Sequence, residues 1–125
     1  MNLNQVTISS SDVQRSVSFY QDLGLRLIVD ARPQYARLEC PDGESTFSIH
    51  LDDTLKNPIG ITIYFEDDAL DELVSRLQKK GIIFIHEPEM KRWLWREAHL
   101  KDPDGHLIIL YKAGKNRKNP PWKIK

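Results

Sequence analysis

Apolar and polar residues alternate over positions 5–9, where Val6 and Ile8 sit between Gln5, Thr7 and Ser9, the two-residue period of a half-buried strand. Val13, Val17 and Tyr20 then recur at helical spacing behind the N-cap oxygens of Ser10, Ser11 and Asp12, and Gly24 ends the run. Residues 25–29, 35–39 and 46–51 read as three strands, with Pro41-Asp42-Gly43 as a turn. The pattern then starts again. Ile61, Ile63 and Phe65 alternate with Thr62 and Tyr64, and Asp67 and Asp68 stand ahead of a helix with Leu70, Leu73, Val74 and Leu77 on one face. Gly81 stops that helix, residues 82–85, 93–100 and 107–111 read as strands, and Asp102-Pro103-Asp104-Gly105 reads as the last turn.

The second run repeats the first in residues as well as in rhythm. Val6-Thr7-Ile8 returns as Ile61-Thr62-Ile63, and Pro41-Asp42-Gly43 as Pro103-Asp104-Gly105. Val17-Ser18, Gln21 and Gly24-Leu25 return at the same spacing as Val74-Ser75, Gln78 and Gly81-Ile82. Three matches in one order indicate a duplicated β-α-β-β-β module. Module one spans 3–52, module two 60–113, and together they are expected to form one domain over 1–113. Residues 114–125 read as a basic tail: the last fourteen positions carry six Lys or Arg and no acid. Trp122 in that tail is expected to pack on its own domain or on a partner subunit.

Composition removes several classes of function. Eighteen Lys+Arg balance eighteen Asp+Glu, so no net field favours a nucleic-acid partner. The single Cys40 excludes an internal disulfide and a cysteine-based zinc site. No apolar run approaches the roughly 20 residues of a membrane span, and the first residues lack the features of a signal peptide. A cytoplasmic location without membrane partners is the expectation. No nucleophile elbow or Gly-rich phosphate loop is present, and Asp12 and Asp104 read as cap and turn residues.

The doubled module, with Asp12 opening the first helix, Ser16, Phe19 and Tyr20 within it, Leu23-Gly24 closing it and Asp102-Pro103-Asp104-Gly105-His106 before the last strand, resembles the vicinal oxygen chelate superfamily. That group includes glyoxalase I, extradiol dioxygenases, fosfomycin-resistance transferases and bleomycin-binding proteins. The resemblance implies an α+β fold in which two βαβββ modules form an eight-stranded open trough, one helix outside each module. It also implies a small-molecule ligand or substrate in the trough and a homodimer.

Chemistry follows from which side chains face that trough. The helix side takes Val6, Ile8, Ile61, Ile63 and Phe65 among others; the opposite phase presents Thr7, Tyr64 and Tyr111. Motif register adds Trp93, Trp95, Glu97 and His99. Thr7, Tyr64, Trp93, Trp95 and Tyr111 are the ligand-binding candidates, the tryptophans as a flat wall. By the family's pattern the metal positions fall on Gln5, His50, Gly60 and Ile109. Gln5 and His50 are suitable ligands for a divalent ion such as Zn, Ni, Mn or Fe, whereas Gly60 and Ile109 carry no donor. Glu97 and His99, at i and i+2, share a strand face and are the catalytic candidates, able to move a proton or to replace the missing ligands. For His50 and His99, hydrogen bonding inside a polar cavity or contact with an organic ligand is the reading favoured over a metal site. His86 and His106 read as surface residues. Two readings stand: a small-molecule-binding relative with a degenerate metal site, and a divalent-metal-dependent lyase or dioxygenase acting on a small bidentate oxygen substrate.

Overall fold

A computed structural model describes residues 1–125 and contains the two expected modules. The first runs β1 Gln5–Ser10, α1 Val13–Leu23, β2 Arg26–Ala31, β3 Tyr35–Glu39 and β4 Thr46–Leu51. The second runs β5 Thr62–Glu66, α2 Leu70–Lys79, β6 Phe84–Met90, β7 Arg96–Lys101 and β8 Leu107–Lys112, followed by a short 3-10 turn at Gly114–Arg117. Each module makes its own open four-stranded sheet, ordered β1-β4-β3-β2 and β5-β8-β7-β6. The first strand of each module lies parallel to its last, and the other pairs are antiparallel. The chain forms two compact units, residues 1–58 with 102–105, and residues 59–101 with 106–125.

In the first unit, Asp12 caps α1 by accepting from the Arg15 backbone N–H at 3.1 Å. Gly24, at φ 112°, closes it in the left-handed conformation, where its N–H reaches the Gln21 carbonyl. Val13, Val17, Tyr20 and Leu23 form the buried stripe of α1, and Leu38, Phe47 and Ile49 complete the core. The rings of Tyr20 and Phe47 are 4.4 Å apart. A fully buried phenol needs a partner, and Tyr20 Oη donates to Asp102 Oδ2 at 2.6 Å. Burial first, and then the Asp102 charge, push that phenol far above its usual range. Asp104 is the other anchor: it accepts from the Ser11 backbone N–H at 2.9 Å, from Ser11 Oγ at 2.7 Å and from Ser16 Oγ at 3.0 Å. The 102–105 turn thus closes the N-terminal end of α1.

In the second unit, Leu70, Leu73, Val74 and Leu77 are the buried stripe of α2. Ile63, Ala98, Leu100, Ile108 and Leu110 supply buried residues from the strands. Asp71 and Glu72 in the first turn and Arg76 and Lys79 in the last match the helix dipole. The cap lies one position later than the acidic pair suggested: Ala69 is the N-cap, and Asp67 serves it by accepting from the Ala69 N–H at 2.8 Å.

Three expectations change here. Ile61 precedes β5 and is 68% exposed, so it does not join the helix side. The third strand pair shifts: β6 extends to Met90, and β7 begins at Arg96 rather than 93. Between them, Lys91 N–H donates to the Trp95 carbonyl and Leu94 N–H to the Lys91 carbonyl, with Leu94 at φ 69°. This turn takes Trp93 out of the strand, so the two tryptophans are not neighbours on one strand face. Finally, Trp122 is 57% exposed on this chain rather than packed on its own domain, whereas Asn116 in the same tail is held by a hydrogen bond from Trp95.

Candidate functional site

Residues paired across adjacent strands share a face, so register defines what each sheet presents. In the second unit one row contains Tyr64, Ile109, His99 and His86, and the next contains Glu66, Tyr111, Glu97 and Glu89. The intervening rows, such as Phe65, Leu110 and Ala98, belong to the α2 side.

Two constellations occupy the face opposite α2. The first is aromatic. Trp95 stacks on Tyr111 with ring centroids 4.6 Å apart and planes inclined by 15°, and Tyr64 meets both rings edge-on at 5.9 and 5.7 Å. Trp95 Nε1 donates to the Asn116 carbonyl at 3.1 Å, which fixes the indole plane. Tyr111 is buried, whereas Tyr64 is 48% exposed and offers a ring to solvent. Burial raises both phenols, with Glu97 adding to the effect at Tyr64 and Glu66 at Tyr111. Neither phenol is poised to ionise near neutrality.

The second constellation centres on Glu97, which is 2% exposed. Trp93 Nε1 donates to its Oε2 at 2.6 Å, and His99 Nε2 lies 2.8 Å from its Oε1. The His99 ring is 4.1 Å from the His86 ring. His86 Nδ1 is 2.8 Å from the Glu87 carbonyl oxygen, and its Nε2 is buried without a partner. His86 is therefore half-buried beside His99 rather than a surface residue. Its burial follows from the longer β6, which sequence periodicity cut short.

The first unit presents a different surface. Gln5 and Thr7 lie exposed on β1, opposite Thr46 and Ser48 of β4. Thr46 Oγ1 donates to Gln5 Oε1 at 2.8 Å. Arg37 Nε donates to Tyr35 Oη at 3.0 Å, and Tyr35 Oη is 2.7 Å from Ser48 Oγ. The Ser48 hydrogen bond, assisted by Arg37, draws the Tyr35 phenol below its usual range despite some burial. Tyr35 and Arg37 escaped the sequence reading; their only signal was the polar alternation of β3.

The donor set does not fit a metal. Register puts Gln5 opposite Thr46 and His50 opposite Ser9, four positions apart along the β1–β4 pair. At roughly 3.3 Å per residue that is about 13 Å, too far for one ion. Gly60 and Ile109 have no donor atoms, and Glu97 already holds Trp93 and His99. No group of three or more His, Cys, Asp or Glu side chains converges anywhere in the chain. Of the expected site residues, Tyr64, Trp95 and Tyr111 come together, as do Trp93, Glu97 and His99; Gln5, Thr7 and His50 belong to the first unit and do not form a cluster.

Comparison with known proteins places this geometry in a family context. Residues 2–110 match the family model described as the Glyoxalase/Bleomycin resistance protein/Dioxygenase superfamily. The chain is 28% identical over 128 residues to the uncharacterized protein YraH of Bacillus subtilis (strain 168), with 90% of this chain and 98% of that protein covered. Among solved structures, the fold is similar to that of a bleomycin-binding protein complexed with bleomycin, with TM-score 0.74, 21% identity, and 90% and 98% of the two chains covered. It is also similar to lactoylglutathione lyase from Agrobacterium tumefaciens, with TM-score 0.70, 18% identity, and coverage of 89% and 92%.

Proposed function

We propose that this chain, which belongs to the Glyoxalase/Bleomycin resistance protein/Dioxygenase superfamily, binds a flat aromatic small molecule on the open face of its second sheet. The observation that carries the proposal is the Tyr64–Trp95–Tyr111 cluster, with Trp95 and Tyr111 pre-stacked and Tyr64 half exposed. A ring wall fixed by its own hydrogen bond loses little side-chain freedom on binding, so ring stacking is largely retained as affinity. The bleomycin complex of the similar fold supports a small-molecule ligand, and a metal-dependent lyase or dioxygenase would need a donor set that these residues do not supply. Exposed apolar side chains on edge strands, Ile28 and Val29 of β2 and Ile85 of β6, support a homodimer. No helix is long and apolar enough to cross a membrane; a cytoplasmic setting is part of the same proposal.

The test is tryptophan fluorescence against a panel of planar aromatics that includes bleomycin. Saturable quenching is expected in the parent protein and in Trp122→Phe, and its loss in Trp95→Ala. A flat response across the panel, or equal quenching in Trp95→Ala, would refute the assignment.

A further inference from the structure

We propose that Glu97 and His99 form a metal-independent acid–base pair in which His99 Nδ1 takes a proton from a flat aromatic substrate. The proposal rests on the aromatic-binding reading and adds a reaction to it.

The hydrogen bonds around Glu97 define the pair. An indole N–H only donates, so Glu97 Oε2 is an acceptor toward Trp93. In the tautomer whose Nε2–H donates to Glu97 Oε1, a neutral His99 imidazole carries its lone pair on Nδ1. That nitrogen makes no hydrogen bond within the chain. Exposure divides the roles: the Glu97 side chain is 3% exposed and the His99 side chain 23%. A base must be reached by substrate, whereas the group that orients it is better sealed from water. Glu97 is therefore a positioning residue and His99 the catalytic one.

The surroundings are built at a cost, which argues for use. Leu94, a γ-branched residue with no glycine's freedom, sits at φ 69° in the turn that delivers Trp93 to Glu97. The His86 ring lies against His99 at a tilt of 39° while its own Nε2 stays buried and unpaired. Further charge faces the pair from Glu89 of β6, held by Lys91, while Tyr64 of β5 and Tyr111 of β8 flank it with neutral phenols.

The step balances without a co-reactant. The substrate's C–H bond breaks, the proton moves to Nδ1, and the electron pair stays on the substrate as a ring-stabilised anion. Return of the same proton to another atom of that anion completes an isomerisation, and departure of an anionic group completes an elimination instead.

A nitrobenzisoxazole probe tests this directly. The base removes the proton on its heterocyclic ring, the N–O bond breaks, and a coloured cyano-nitrophenolate forms. The parent protein is expected to open the probe with saturation kinetics, and His99→Ala to lose about 100-fold in kcat, the lower range for general-base catalysis. Added imidazole should restore turnover in His99→Gly, which shows that the variant is folded. Glu97→Gln should lower kcat with KM unchanged, and Trp95→Ala should raise KM. Saturable quenching by the probe with turnover no faster than free imidazole, or equal turnover in His99→Ala, overturns the acid–base pair alone. Absence of saturable quenching overturns the pair together with the aromatic-binding reading.

Discussion

The two sheets share a strand order and a pattern of parallel and antiparallel pairing, yet their open faces differ. On the first, hydroxyls, an amide and a guanidinium satisfy one another: Thr46 with Gln5, and Arg37 with Tyr35 and Ser48. On the second, the open face carries stacked rings and a buried carboxylate that gathers an indole and an imidazole. The half of each module that packs against its helix is apolar in both, and the difference lies in the other half. The helix side is constrained by close packing, where one methylene is felt, while the open side is constrained only by what it must bind. The turns before the last strands diverge as well. Asp42 is exposed, whereas the Asp104 side chain is 2% exposed and accepts three hydrogen bonds from serines of the first unit.

That last contrast carries the largest expected effect. Asp104→Ala removes the acceptor shared by the Ser11 N–H, the Ser11 and Ser16 hydroxyls and Arg15 and should cost about 3 kcal/mol, while Asp42→Ala should change little. Urea unfolding of both variants measures the difference, and equal midpoints would show the two turns to be equivalent. Burial alone would raise the Asp104 carboxyl, but hydrogen bonds from Ser10, Ser11 and Ser16 hold it below the usual aspartate range. A group depressed in the folded state stabilises above its unfolded value and loses that contribution as pH falls through the folded one. Stability should therefore fall below about pH 4 in the parent, and more shallowly in Asp104→Ala.

A smaller effect separates the two open faces. Glu97→Ala removes the buried acceptor of both the Trp93 indole N–H and His99 Nε2 and should cost about 2 kcal/mol; Ser48→Ala, whose partner Tyr35 keeps Arg37, should cost about 1 kcal/mol or less. Thermal unfolding of the pair checks the ranking, and a reversed order would move the structurally critical network to the first sheet. The smallest effect is a gain. Leu94→Gly relieves a positive φ and should stabilise by up to about 1 kcal/mol while loosening Trp93, seen as a change in its fluorescence.

Much of the fold could be read from periodicity, because the helix-facing halves of both modules obey it, Ile61 apart. Val6 and Ile8, or Leu70, Leu73, Val74 and Leu77, stand where burial demands them. Glu97 and His99 were legible as a pair for the same reason, since i and i+2 share a face on any strand. Trp93 and Trp95 were misplaced because a turn can mimic strand alternation, and only the Lys91–Trp95 backbone hydrogen bond distinguishes them. His86 was hidden by a strand with two register shifts and an internal Pro88, which blurs the two-residue period. Gln5 and His50 matched a family pattern position by position, but their separation depends on β1–β4 register, which neither strand encodes alone. The reach of Asp104 to Ser11, 93 residues away in sequence, left no local trace at all.

The same turn bears on synthesis. A nascent chain that has emerged only as far as residue 58 contains every strand of the first sheet but lacks Asp102 and Asp104. The Tyr20 hydroxyl and the serines at the start of α1 then lack these two carboxylate acceptors until most of the second module has left the ribosome. The first half of the chain thus takes two of its carboxylate partners from the second. It is completed by a piece of its own copy, so the two halves are interdependent during translation and a clean cut at the linker would produce an unfinished fragment.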